Sequence, residues 1–292
     1  MASISAFQAD GPSSNLGCRT NLYSFKCQNC VNVYFFTQIY SGEIMRNLLI
    51  IFTIFYMSFS SLTMAQEEYK YQPVANKAEY YVGKLKSGKD FKDFVDWSNK
   101  LVEWTSDNPI YDNWSPNLFM PYFHSDRQNH DTVFLGIWPN ATEQYAGLDY
   151  WVKNGGALLA EVPTDAVRSI DTWQWPISTP EGDHNVGAVR FADCKMAESI
   201  TSRQLFDAYK EFAMFARETG DNLGRKMIFP ASGAIDGDYD YVYSLYAQNV
   251  AELGSNSDNF WENISGSDVQ IALGELIESC SNSRTYITYP MK

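Results

Sequence analysis

Histidine is scarce in this chain: His124, His130 and His184 are the only three among 292 residues, and they show no metal-ligand spacing. Cysteine is sparse too, and Cys27 with Cys30 forms a single C-x-x-C pair with no second pair and no nearby histidine, so neither a zinc site nor a redox site is supported. There is no glycine-rich phosphate loop, no G-x-S-x-G elbow and no Walker pattern, which sets aside the usual nucleotide and serine-nucleophile enzymes. Basic side chains are in deficit, 22 against 35 acidic ones, for a net charge of −13. So acidic a chain repels phosphate backbones, which excludes nucleic acid as an ordinary partner. The one long apolar run, residues 48–59, falls well short of the roughly 20 residues that span a bilayer.

That run reads instead as an export address. Met45-Arg46-Asn47 supplies a short positive region before it, and Leu62-Thr63-Met64-Ala65 supplies small residues before a cut expected between Ala65 and Gln66. A signal segment is read from the start of a translated chain, so Met45 is the expected initiator and residues 1–44 a misassigned extension. Gly42-Glu43 can be encoded as GGAGAA, a ribosome-binding sequence just upstream of that codon. The N-terminal peptide of the exported protein is expected to begin at Gln66, and one that maps to Met1 would overturn the assignment. Without residues 1–65 the chain keeps 19 basic and 33 acidic side chains, net −14, which suits solubility in a periplasmic or secreted setting. Two cysteines remain, and an even number in an exported chain suggests one disulfide.

The remaining sequence repeats itself. Gly83-Lys84-Leu85, Asn117 to Pro121, Gly136-Ile137-Trp138, Trp151 and Trp175-Pro176-Ile177 recur in order as Cys194-Lys195-Met196, Arg225 to Pro230, Ser244-Leu245-Tyr246, Trp261 and Tyr289-Pro290-Met291. Two units are expected, 76–178 and 187–292. Each opens with a strand, at 80–85 and 189–196. A helix follows, started by Ser87 with Asp90 or Thr201 with Gln204 and striped with Phe91, Phe94, Val95, Leu101 and Val102, or Leu205, Tyr209, Phe212 and Ala216. Strands are expected next at 117–123 and 132–138, and at 225–231 and 240–246, with a turn at Asp236-Gly237-Asp238. Pro121 and Pro230 fall at matched points and ask for an edge strand or a bulge. A helical region with Trp151 or Trp261 and a last strand, 170–175 or 285–289, complete each unit.

The order β-α-β-β-α-β, read twice, is the split ferredoxin-like unit. An α+β chain of two such tandem units resembles the dimeric α/β barrel superfamily, in which paired units set their sheets against each other. The resemblance covers residues 76–291 and implies an intramolecular barrel, so that a monomer could be complete. It also implies that first and fourth strands are neighbours, which would bring Cys194 and Cys280 together in a disulfide worth roughly 2–4 kcal/mol. Members include cofactor-free monooxygenases, haem-using enzymes and small binding proteins. Haem-using members hold iron through a histidine on a helix of the C-terminal unit, and no histidine follows His184. The expected cofactor and metal content is therefore none.

Three functional readings remain. Aromatic residues make up 15% of the chain, and Trp97, Trp104, Trp138, Trp173 and Trp175 are large enough to line a cavity between sheet and helix for a small apolar or aromatic molecule. The plainer reading is that repeat-matched rings, Trp138 with Tyr246 and Trp151 with Trp261, are core. In an enzyme of the cofactor-free kind, His124 could act as general base or polarise a carbonyl, with Tyr122 beside it. The alternative is a solvent-exposed hairpin histidine. A structural or surface protein without a small-molecule site is the third reading.

Overall fold

The computed structural model describes residues 69–125, 128–182, 186–233 and 237–291. The expected extension, the signal segment at 45–65, His184 and Asp236 lie outside them. The elements run β1 (Asn76–Leu85), α1 (Phe91–Ser106), β2 (Ser115–Phe123), β3 (Thr132–Trp138), α2 (Ala141–Asn154), α3 (Gly156–Glu161) and β4 (Thr164–Ser178). They continue as β5 (Ala188–Met196), α4 (Ser202–Glu218), β6 (Gly224–Ser232), β7 (Tyr241–Ala247), α5 (Val250–Asn259), α6 (Asp268–Glu275) and β8 (Ile277–Pro290).

Every strand pairs antiparallel with two neighbours, in the closed order β1-β3-β2-β8-β5-β7-β6-β4. The first half supplies β4-β1-β3-β2 and the second β8-β5-β7-β6, and the ladders β2·β8 and β4·β6 join them. Where helices cover the barrel, strand alternation divides the side chains between two buried layers. Ala78, Val82, Phe119, Val189, Phe191 and Tyr286 point into the barrel. The other face of each half is covered by helices. In the first half Phe94, Trp97 and Leu101 of α1 pack on Leu118, Phe134 and Trp138. In the second, Leu205, Phe206, Tyr209 and Phe212 of α4 pack on Met227 and Tyr241.

Both long helices start in capping boxes, each cap contributing about 1 kcal/mol. Thr201 with Gln204 is the expected one. In the first half the cap is Asp90, partnered by Asp93, because Ser87 belongs to a preceding turn that closes through the Lys89 N–H and the Lys86 carbonyl. The prolines sit by bulges: register shifts between Pro121 and Phe123 on β2, and between Asp171 and Thr172 opposite Pro230 on β6. Cys194 on β5 lies directly opposite Cys280 and is bridged to it. Cys280 is inside β8 rather than before it, since that strand begins at Ile277.

Two expected matches shift. With Gly83 matched to Cys194, Lys77 corresponds to Ala188; Lys77 pairs with Trp138 and Ala188 with Ala247, so the register counterpart of Trp138 is Ala247, and that of Ile137 is Tyr246. Trp138 and Tyr246 therefore face opposite layers, helix-side and barrel-side, because one residue of slip reverses a strand's faces. Trp151 packs in the helix-side core, but Trp261 is 72% exposed and is not core at all.

Candidate functional site

Residues 77, 79 and 81 of β1 alternate with barrel-facing neighbours, which turns Lys77, Glu79 and Tyr81 toward α1 and α2. A cavity of about 200 Å³ opens there, walled by Phe94, Trp97, Tyr111, Trp114, Phe134 and Trp138. The one carboxylate in this wall is Glu79, only 6% exposed. One carboxylate oxygen accepts from Trp138 Nε1 at 3.0 Å and the other from Gln144 Nε2 at 3.0 Å. The Gln144 amide also donates to Asp171 at 3.0 Å, and Asp171 pairs with the buried Lys77 Nζ at 2.6 Å. Lys77 in turn lies 4.7 Å from the centre of the Trp173 ring.

Two glycines permit this closeness. A Cβ on Gly136 would stand 2.7 Å from the Glu79 carboxylate, and one on Gly147 only 2.1 Å from the Trp138 ring. Burial pushes the Glu79 carboxyl up to about 7, against the opposing pull of its hydrogen bonds from Trp138 and Gln144. A carboxyl held near neutrality in an aromatic cavity can donate a proton to a bound ligand or take one from it.

Trp138 is thus in the cavity wall, as one reading of the sequence required. His124 is not. It stands exposed just beyond β2, with Nδ1 3.3 Å from the Ser125 carbonyl oxygen, and lines neither this cavity nor the one inside the barrel. Tyr122 is 54% exposed and also lies outside both. His130 faces the barrel instead, with Nε2 3.2 Å from the Tyr286 hydroxyl. Among the described residues, no three His, Cys, Asp or Glu side chains gather where a metal ion could be held.

The matching layer of the second half is filled. Tyr209 and Tyr241 share a hydrogen bond of 2.9 Å there, and Arg225 and Asp221 form a buried pair nearby. With Gly83 matched to Cys194, the counterpart of Glu79 four residues earlier is Arg190, so the acid has no equivalent in the second half.

Two four-stranded sheets, each backed by helices on one face, close against each other around an inner core. The fold is a closed eight-stranded antiparallel barrel with helices outside it, the arrangement that the resemblance to dimeric α/β barrel proteins implies. Similar solved structures include a chlorite dismutase from Candidatus Nitrospira defluvii in complex with imidazole, at 6% identity and a TM-score of 0.46, covering 77% of this chain and 95% of that one. An anthrone oxidase-like protein matches at 9% identity and a TM-score of 0.44, covering 75% and 94%. Likeness at this level is a likeness of fold alone. No protein-family model matches the sequence, and no curated protein matches it.

The resemblance allows for a haem held by a histidine on a helix of the second half, and the residues there do not suit that group. α4, α5 and α6 carry no histidine, and the face of α4 is occupied by Phe206, Tyr209 and Phe212 against the sheet. A haem would find neither its ligand nor room there.

Proposed function

We propose that this is an exported protein of two fused ferredoxin-like units that binds a small aromatic molecule between α1, α2 and the sheet of its first unit. The observation that carries the reading is the pairing of an aromatic cavity with a single buried carboxyl near neutrality, found in one half and replaced by packed core in the other. A cavity of about 200 Å³ suits one or two fused rings. Glu79 would fix such a ring by a hydrogen bond to a hydroxyl or carbonyl group. The disulfide suits an oxidising compartment, and no helix among the described residues is long and apolar enough to cross a membrane.

A second reading follows from the same carboxyl. In a cofactor-independent oxidation Glu79, rather than His124, would take the proton of a bound phenol or activated C–H group, leaving an electron-rich anion to react with dioxygen.

Binding of 2-naphthol, followed through tryptophan fluorescence, tests the reading, because Trp97, Trp114, Trp138 and Trp151 all line the cavity. Ala166 lies exposed at its rim, so Ala166→Trp should block entry without disturbing the core and weaken binding by about tenfold or more. Unchanged affinity in this variant, or no binding by the wild type, would count against the cavity as a ligand site and move the structural reading ahead.

A further inference from the structure

A second, larger cavity of about 480 Å³ lies inside the barrel itself, on the opposite face of the sheet from Glu79. Its deep wall is apolar, formed by Val82, Phe119, Phe191, Ile228 and Val242. Near its opening the lining changes to Arg168, Arg284, Asp193, Tyr239 and Asn282. Asp238, 86% exposed and 3.0 Å from Lys195, marks the solvent end.

The ion pairs there leave Arg168 out, since Asp238 is taken by Lys195. Arg284 is matched by Asp193 at 2.8 Å, and the other Asp193 oxygen accepts from the Asn282 amide at 2.7 Å. Asp193 is thereby committed. The Arg168 side chain, by contrast, makes no ion pair or hydrogen bond among the described residues, and its Nε is buried without an acceptor. A buried guanidinium donor left unpaired is costly, and a carboxylate is the group its planar fork fits best. Asn282 is held at the mouth with φ of 52°, and Gln128 donates to its side-chain oxygen at 2.6 Å, so this rim is built and not a loose loop. On a chain as acidic as this one, a cationic spot above an apolar well is a specific feature.

We propose that the barrel interior is a second binding site, for a monocarboxylate with an apolar body. The carboxylate would meet Arg168, with the Tyr239 hydroxyl as a further donor, and the body would fill the space between Phe119, Phe191, Ile228 and Val242. This site is separate from the aromatic cavity and stands whether or not that cavity binds a ligand.

Isothermal titration of the purified protein with octanoate, octan-1-ol and acetate tests it. Octanoate is expected to bind at one site, with the alcohol and acetate each weaker by about tenfold or more, since each lacks one of the two required parts. Arg168→Met should cost about tenfold or more in octanoate affinity, and Arg168→Lys should recover part of it. Thermal unfolding of both variants shows whether they are folded, and the comparison of the three ligands on the wild type stands without them. Equal binding of octanoate and octan-1-ol would overturn the proposal, as would undiminished affinity in folded Arg168→Met, or no octanoate binding up to millimolar concentration. Loss of octanoate binding in Ala166→Trp would place the ligand in the aromatic cavity and overturn it equally.

Discussion

Asp221→Ala is expected to destabilise the protein by about 3–5 kcal/mol, because it strands a buried guanidinium. Asp221 and Arg225 are 2% and 4% exposed, and their contacts are bidentate, at 2.9 and 2.6 Å. The same aspartate accepts from the Leu223 N–H at 2.8 Å, and Arg225 also donates to the Leu223 carbonyl at 3.0 Å. The pair therefore fixes the short passage from α4 into β6, and it packs beneath Phe212, whose ring centre is 5.5 Å from the guanidinium. Removing the acid leaves the cation with neither water nor a counter-charge, whereas removing both ions leaves no buried charge and costs only the neutral Leu223 N–H and carbonyl their partners. Asp221→Ala/Arg225→Met should thus be more stable than Asp221→Ala alone. Urea unfolding of the three proteins checks this. A loss under about 1 kcal/mol for Asp221→Ala would mean that the passage opens to water and the pair is not sealed.

Much of this architecture is written in side-chain periodicity. The stripes on α1 and α4 and the two central strands of each half announce themselves, and with them the order of elements. The ends are harder to read. β4 runs from Thr164 and β8 from Ile277, well before the apolar residues that mark them, because antiparallel pairing with β1 and β5 extends through polar residues such as Asp165, Arg168 and Ser279. Register is harder still. Trp138 and Tyr246 look equivalent as aromatic ends of similar segments, yet only the ladders show that they differ by one place and so face different layers.

The candidate site was hidden for a related reason. Along β1, Glu79 alternates with Ala78 and Tyr80, and a charged residue in alternation reads as the solvent side of a strand. Here both sides are covered, one by the barrel and one by α1 and α2, so the acid is trapped. The available signal was its neighbour Lys77, equally out of place: two charges two residues apart on the covered part of a strand call for partners, which Asp171 and Gln144 supply. His124 drew notice for its chemistry, and its position two residues beyond the exposed Tyr122 leaves it in solvent.

Glu79 leads to the second large effect, one that is visible in pH dependence. Its ordinary value of 4.5 applies in the unfolded chain, and burial raises it to about 7 in the folded one. Between these values the folded state holds a proton that the unfolded state has released. Stability from this group is therefore fully present below about pH 4.5 and is lost as pH rises through about 7, by about 3 kcal/mol in all. Glu79→Gln cannot titrate, so the difference in unfolding free energy between wild type and variant should swing by that amount across the same interval. Parallel curves would show that the carboxyl is hydrated and ordinary. The same titration governs chemistry. If the protein consumes dioxygen with a bound phenol, the rate should rise with pH through about 7, as Glu79 becomes able to accept a proton. Glu79→Gln should then lower that rate by roughly 10²–10⁴-fold while leaving 2-naphthol binding largely in place. A variant that keeps the wild-type rate would remove the base from the reaction and leave the cavity as a binding site alone. His124→Ala, altered in solvent beyond β2, should leave both rate and binding as they were.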